Sequence, residues 1–287
     1  MTVLILGATG MLGQKVVAEA KRRNLNPICV ARRNAQENVD IANEVALASV
    51  FAAHNPKLII NCAGIIDIAY CEKHPMEAYM VNARAVGILA RMCAKANTKL
   101  VQISTEHYFT GDKDARHNED HPVELVNEYA RTKFAGEAYA LSYPNALVAR
   151  VNIVGLRGWG KATFTEWAIK VIENNLEASM FNDNFASSVD TTTCAKALFD
   201  LSGKNATGLY NLGSKEVFTK KAFIEELAQK LGKTLTNAKV GSVKSLEILR
   251  AESLGLDVSK AENKLGYSLP TLKEVILNLV NDYKAVL

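Results

Sequence analysis

Along the first half of the chain, short runs of nearly continuous apolar residues alternate with longer stretches in which apolar positions recur every three or four residues. "TVLIL" (2–6), "PICVA" (27–31), "KLIINCA" (57–63), "KLVQIS" (99–104) and "ALVARV" (146–151) are the continuous runs. They predict strands covered on both faces. Helical spacing over 11–23, 42–54, 76–96 and 127–142 predicts the helices between them. Strands alternating with helices pair in parallel through right-handed crossovers. The expected fold class is therefore α/β, a Rossmann-type doubly wound parallel sheet.

Beyond residue 152 the rhythm loosens. Helical spacing returns at 163–174, 191–202, 219–231 and 271–285, interleaved with short strand-like pieces such as "GLYNLG" (208–213) and polar loops around 155–162 and 181–190. No repeat or low-complexity tract is present. The expected organisation is a nucleotide-binding domain over 1–151, with returning segments at about 191–213. A smaller mixed α/β substrate-binding cap domain covers about 152–190 and 214–287.

Composition narrows this picture. The chain has 287 residues, 48% hydrophobic and 22% charged, as globular domains do. Its formal charge of +4 is spread without a basic run, which argues against nucleic acid and suits an anionic small ligand. No apolar run reaches the ~20 residues that span a bilayer, and no signal peptide is expected at the N-terminus. The five cysteines are odd in number and lack C-x-x-C spacing, which points to a reducing, cytoplasmic compartment rather than a disulfide framework.

Three segments carry candidate chemistry. "LILGATGMLGQ" (4–14) places Gly7, Gly10 and Gly13 directly after the first strand and at the start of a helix. There a tight turn, a close backbone approach and free helix N–H groups favour a pyrophosphate. The end of the second strand reads Ala31-Arg32-Arg33, without the carboxylate that holds the ribose of NAD. Two guanidiniums instead suit a 2′-phosphate, so NADP(H) is expected in preference to NAD(H). "NEYARTKFAGEA" (127–138) sets Tyr129 and Lys133 on one helix face. An ammonium there stabilises a phenolate whose acid otherwise titrates near ~10. "QISTEHYFTGD" (102–112) ends a strand in a series of protic side chains.

The order of glycine loop, strand ending in Ser104-Thr105 and Tyr-x-x-x-Lys resembles the extended short-chain dehydrogenase/reductase superfamily. More narrowly, the chain resembles the dTDP-4-dehydrorhamnose reductase family of nucleotide-sugar ketoreductases. Besides the segments above, "NPKLIINCAGIIDIAYCEKHPMEAYMVNA", "ARVNIVG", "FNDNFASSVD" and "LGLDVSKAENKLGY" echo family segments in order. The resemblance implies NADPH-dependent reduction of a 4-keto-6-deoxy nucleotide sugar. It implies Tyr129 as general acid, Lys133 lowering the Tyr129 pKa and binding the nicotinamide ribose, and Thr105 donating a hydrogen bond to the carbonyl. Gly7, Thr9, Gly10, Met11 and Leu12 would hold the coenzyme phosphates, Arg32 and Arg33 the 2′-phosphate, Asp40 and Ile41 the adenine, and Cys62, Ala63 and Gly64 the rest of the coenzyme. Asn82 also matches a family position.

The chain departs from the family where substrate is expected. Glu106-His107 stands for Asp-Tyr, Ala130 for a glycine, Val151-Asn152-Ile153 for Thr-Ser-Trp, and Ser188 for a proline. Glu106, His107 and Asn152 are therefore the expected sugar contacts, with His107 either binding a hydroxyl or moving a proton near neutral pH. His117 and His121, in "ARHNEDHP", are expected to be solvated, and no metal site is expected. Two other functions share these motifs: an epimerase or dehydratase of the same superfamily, and a non-catalytic NADP-binding regulatory subunit. The expected partner is a nucleotide sugar, with no nucleic acid or membrane, and a homodimer is the default assembly.

Overall fold

A computed structural model describes residues 1–285. The apolar runs of the first half form β1 (Thr2–Leu6), β2 (Asn26–Ala31), β4 (Leu58–Asn61), β5 (Lys99–Ile103) and β6 (Ala146–Val151), with a two-residue strand β3 (Glu37–Asn38). Between them lie α1 (Met11–Arg22), α2 (Glu44–His54), α3 (Ile68–Lys73), α4 (Pro75–Tyr79), α5 (Ala85–Ala96) and α6 (Glu128–Leu141). Then follow β7 (Ile153–Val154), α7 (Phe164–Glu173), β8 (Ala178–Phe181), β9 (Phe185–Ala186), β10 (Val189–Asp190), α8 (Thr191–Gly203) and β11 (Gly208–Leu212). The chain closes with β12 (Phe218–Thr219), α9 (Lys220–Lys230), β13 (Ala238–Gly241), β14 (Ser253–Leu254), α10 (Ser259–Leu265) and α11 (Leu272–Lys284).

The chain divides into two compact units. The first comprises Met1–Thr105, Leu125–Arg150 and Ala195–Tyr210; the second comprises Glu106–Glu124, Val151–Cys194 and Asn211–Leu287, described here as far as residue 285. The main sheet has the order β11-β6-β5-β4-β1-β2-β3. Its pairs β1–β2, β1–β4, β2–β3, β4–β5 and β5–β6 are all parallel. The expected fold class is the one observed. The core of the first unit gathers Leu4, Leu6, Ile59, Ile88, Leu89 and Leu100, each at most 1% exposed. At about 1.5–3 kcal/mol per buried side chain, such a layer opposes the entropy of ordering the chain.

The segment 76–96, expected as one helix, is helical throughout but contains a π-turn over Met80–Arg84 between α4 and α5. In the second unit, Ile169, Ile172, Phe223, Leu227, Val275 and Leu279 form a separate core. Capping boxes start α7 (Thr163 with Glu166) and α11 (Thr271 with Glu274). The remaining pairings are small: β12-β9-β14, β10-β7 and β13-β8. Two-residue strands carry no periodicity, which is why the sequence did not announce them. No helix among the described residues is long and apolar enough to cross a membrane.

Candidate functional site

In the first unit the strand order reverses between β1 and β4, the switch point at which open α/β sheets bind ligands beyond their carboxyl ends. The loops leaving these two strands approach closely. Gly7 has φ of 72°, and a Cβ there would lie 2.7 Å from the Ala63 nitrogen. A Cβ at Gly13 would lie 2.1 Å from the Gly7 oxygen. Only glycine fits such approaches. Gly10 is the N-cap of α1, with no side-chain cap and no acidic residue in the first turn. A helix start without a capping side chain or a carboxylate, opening from a glycine cradle, takes a phosphate readily. These residues fit the pyrophosphate of a dinucleotide. Thr9 and Met11 are half-buried beside the turn, whereas the Leu12 side chain is core at 4% exposed and leaves only its backbone to a ligand.

At the end of β2, Arg32 and Arg33 are exposed, and neither forms an ion pair among the described residues. Two uncommitted guanidiniums are suited to an incoming phosphate. Asp40 is exposed, and its carboxylate accepts from the Ala42 N–H at 2.9 Å. Ile41 is buried in the core of the unit, so its side chain packs rather than lines a site.

The carboxyl end of β5 is a polar network. Thr105, two residues past the strand, is 2% exposed. Tyr129 and Lys133 lie in the first two turns of α6, 8% and 6% exposed. The Lys133 Nζ donates to the Ile103 carbonyl at 2.7 Å, which carries the ammonium to the strand end that delivers Thr105. The Gln102 Nε2 donates to the same carbonyl, and the Asn61 Nδ2 donates to the Gln102 side chain, tying β4 to β5. A Cβ at Gly64 would come 3.9 Å from the Lys133 Nζ, so the loop after β4 also borders this amine. Burial pushes the Cys62 thiol up to about 12, with the Lys133 charge opposing; Cys62 is therefore a neutral thiol at pH 7 rather than a nucleophile.

Two further side chains support this network through partners that only the fold brings to them. Asn82, in the π-turn, accepts from the Ile65 N–H and donates to the Ile65 carbonyl at 2.8 and 2.9 Å, and also donates to Thr132. It thus fixes the loop after β4 against α6, a use of a π-turn common near functional sites. Glu137, one turn beyond Lys133, accepts from Ser104 at 2.8 Å and from Arg150 at 2.6 Å, all three side chains being buried. Nothing in the spacing of these residues marks them as partners.

The three expected sugar contacts belong to the second unit. Glu106 is buried and accepts from the Asn152 Nδ2 at 2.8 Å, and the Asn152 Oδ1 accepts from the Ser188 hydroxyl at 2.8 Å. Two of the positions at which this chain departs from the family pattern are therefore hydrogen-bonded to each other, and Ser188, a third, completes the chain. His107 Nε2 stands 3.7 Å from Glu106. Burial pushes the His107 imidazole down to about 4, and the Lys220 and Arg250 cations add to this. At pH 7 the ring is neutral, with one nitrogen able to donate and the other able to accept. Of the two expected uses of His107, a ring of this kind favours binding a hydroxyl over moving a proton near neutral pH. Lys220 lies over the Phe164 ring at 4.5 Å, and burial holds its ammonium below the usual lysine range against the pull of Glu106. Lys220 and Arg250 are functional candidates the sequence reading missed, since they lie 113 and 143 residues from His107.

The expected solvation of His117 is also overturned. Its ring is 0% exposed and stacks on Phe109 with centroids 4.1 Å apart. His121 is exposed as expected.

Similarity to known proteins runs along nearly the whole chain. The family model described as "RmlD substrate binding domain" matches residues 1–285. The probable low-salt glycan biosynthesis reductase Agl14 of Haloferax volcanii is 27% identical over 288 residues, covering 96% of this chain and 95% of that protein. The dTDP-4-dehydrorhamnose reductase of Streptomyces griseus is 27% identical over 234 residues, covering 80% and 76%. Among solved structures, the dTDP-4-dehydrorhamnose reductase of Bacillus anthracis in complex with NADP superposes with a TM-score of 0.86 at 21% identity, covering 98% of this chain and 99% of that one. With the match running along all the described residues, the chain belongs to the family of the RmlD substrate binding domain.

Proposed function

We propose that the protein reduces the keto group of a 4-keto-6-deoxy sugar carried on a nucleotide, using NADPH in preference to NADH. The observation that carries this reading is the convergence at three neighbouring strand ends of the first unit. The glycine cradle follows β1, the Cys62–Gly64 loop follows β4, and the carboxyl end of β5 brings Lys133 to the strand that delivers Thr105. The names of the sequence relatives from Haloferax volcanii and Streptomyces griseus, both reductases, point the same way.

When bound, the reduced nicotinamide supplies the hydride. The residues of the chain do the rest. The Thr105 hydroxyl donates a hydrogen bond to the substrate carbonyl, and the Tyr129 hydroxyl gives its proton to the same oxygen as it becomes an alkoxide. The Lys133 ammonium lowers the cost of the phenolate left behind. In the second unit, Glu106, His107 and Asn152 bind sugar hydroxyls, and the neutral His107 acts as a hydrogen-bonding group. Lys220 and Arg250, the two cations acting on His107, suit the charge of the diphosphate.

The test is turnover of a nucleoside-diphosphate 4-keto-6-deoxyhexose, followed by loss of the reduced-nicotinamide absorbance. Tyr129→Phe is expected to lower kcat by about 10²–10⁴-fold, the usual worth of a positioned general acid, with NADPH affinity unchanged. An unaltered rate would remove Tyr129 from the chemistry. Tight NADPH binding without turnover of any such sugar would point to a coenzyme-binding regulatory subunit instead.

A further inference from the structure

The loop between β5 and α6 carries a second cluster of polar side chains that the proposed reduction does not use. Asp112, His117 and His121 each offer one ligand atom, and the three atoms lie within 4.8 Å of one another. The same carboxylate oxygen, Asp112 Oδ2, is 3.3 Å from His117 Nε2 and 3.8 Å from His121 Nε2. A tetrahedral zinc ion with bonds of about 2.0–2.1 Å holds its ligand atoms roughly 3.3–3.5 Å apart. The two distances from Asp112 are near that spacing, and the two imidazole nitrogens lie within 4.8 Å of each other.

The surroundings of His117 give a second, independent observation. Its Nδ1 lies 2.8 Å from the Gly255 carbonyl, which can only accept, so Nδ1 carries the proton. Nε2 then faces the Asp112 carboxylate, 3.3 Å away. A backbone carbonyl that orients the imidazole from behind is the usual support of a metal-ligating histidine. The ring cannot turn away, because it is 0% exposed and stacked on Phe109 at an interplanar angle of 5°. Its backbone is held on both sides, by His117 N–H donation to Gly255 and by donation from Asp257 N–H and Asn211 Nδ2 to the His117 carbonyl.

We propose that Asp112, His117 and His121 form a binding site for Zn²⁺ or another borderline divalent transition metal. Imidazole and carboxylate ligands favour such ions over Mg²⁺ or Ca²⁺, which prefer all-oxygen shells. The fourth position is open to water, since Asp112 and His121 are 51% and 42% exposed at their side chains. The spacing His117-x-x-x-His121 falls within known zinc patterns, and Asp112 completes the set from the preceding turn. His117 is already fastened to Gly255, so the ion ties Asp112 and His121 to that anchor. This secures the middle of the segment that begins with Glu106 and His107.

The experiment uses the full-length chain without an affinity tag, stripped with a chelator and titrated with Co²⁺ and then with Zn²⁺. One equivalent of Co²⁺ is expected to produce the visible absorption of a tetrahedral site, which Zn²⁺ abolishes, and Zn²⁺ is expected to raise Tm. The exposed ligand variants His121→Ala and Asp112→Asn leave the buried ring in place and should fold. Each is expected to weaken Co²⁺ binding by at least about tenfold, the scale of losses at metal sites, and to remove the Tm shift. No saturable Co²⁺ spectrum overturns the proposal, as does an affinity unchanged in both variants. A doubly protonated His117 ring, seen by ¹⁵N NMR in excess Zn²⁺, would show that a proton alone joins the pair and would equally overturn it.

Discussion

Lys133 is held by the framework at the point where the proposed reaction needs it. Its ammonium is buried yet hydrogen-bonded to the Ile103 carbonyl at 2.7 Å, so it keeps a fixed place at the strand end. The sequence showed that Tyr129 and Lys133 share a helix face; the carbonyl that fixes the amine belongs to a residue 30 positions away. His107 shows the opposite case. Its type suggested a neutral-pH proton carrier, but burial and two cations decide its charge, and neither is visible in the local sequence. Arg32 is the residue whose sequence reading is most directly testable. A charge-assisted bond to a 2′-phosphate contributes about 1.5–3 kcal/mol. Arg32→Ala should therefore weaken NADPH binding about tenfold or more while leaving NADH binding nearly unchanged, measured by fluorescence titration. Equal losses for both coenzymes would place Arg32 away from the 2′-phosphate.

Among the elements, α6 and the π-turn before α5 are the least forgiving pair. A Cβ at Gly136 would stand 2.0 Å from the Asn82 carbonyl oxygen, a backbone atom that cannot swing aside. Overpacking of this kind costs about 1–3 kcal/mol, sometimes more. Gly136→Ala should thus lower the unfolding free energy by at least about 2 kcal/mol in urea titration, and loosen the Asn82 grip on Ile65. A loss below about 0.5 kcal/mol would mean that the π-turn shifts to accommodate the methyl group. The helical period over 76–96 was legible, yet the π-turn within it was not. One wider turn leaves the apolar pattern almost intact, while the α6 residue that Asn82 bonds, Thr132, lies 50 residues further on. The buried Glu137–Arg150 pair was hidden for a similar reason, since both residues are ordinary in a helix and a strand until the fold brings them together.

For the whole molecule, the two units divide the proposed work, coenzyme on the first and sugar contacts on the second. NADPH alone should slow amide hydrogen exchange mainly at 7–13 and 62–65, the loops after β1 and β4. Protection concentrated in 106–124 or 214–254 would contradict that division. The sequence by itself determined the parallel α/β framework, the glycine turn and the Tyr129–Lys133 face, because apolar periodicity and glycine spacing are local and survive without tertiary context. It also located the departures from the family pattern at Glu106, His107, Asn152 and Ser188. Only the tertiary structure decided that Glu106, Asn152 and Ser188 are joined by hydrogen bonds, that His107 is neutral, and that His117 is buried facing Asp112 beside His121. The physical reason is that burial, charge and ligand geometry depend on which distant segments pack together, and no local pattern of residues encodes that distance.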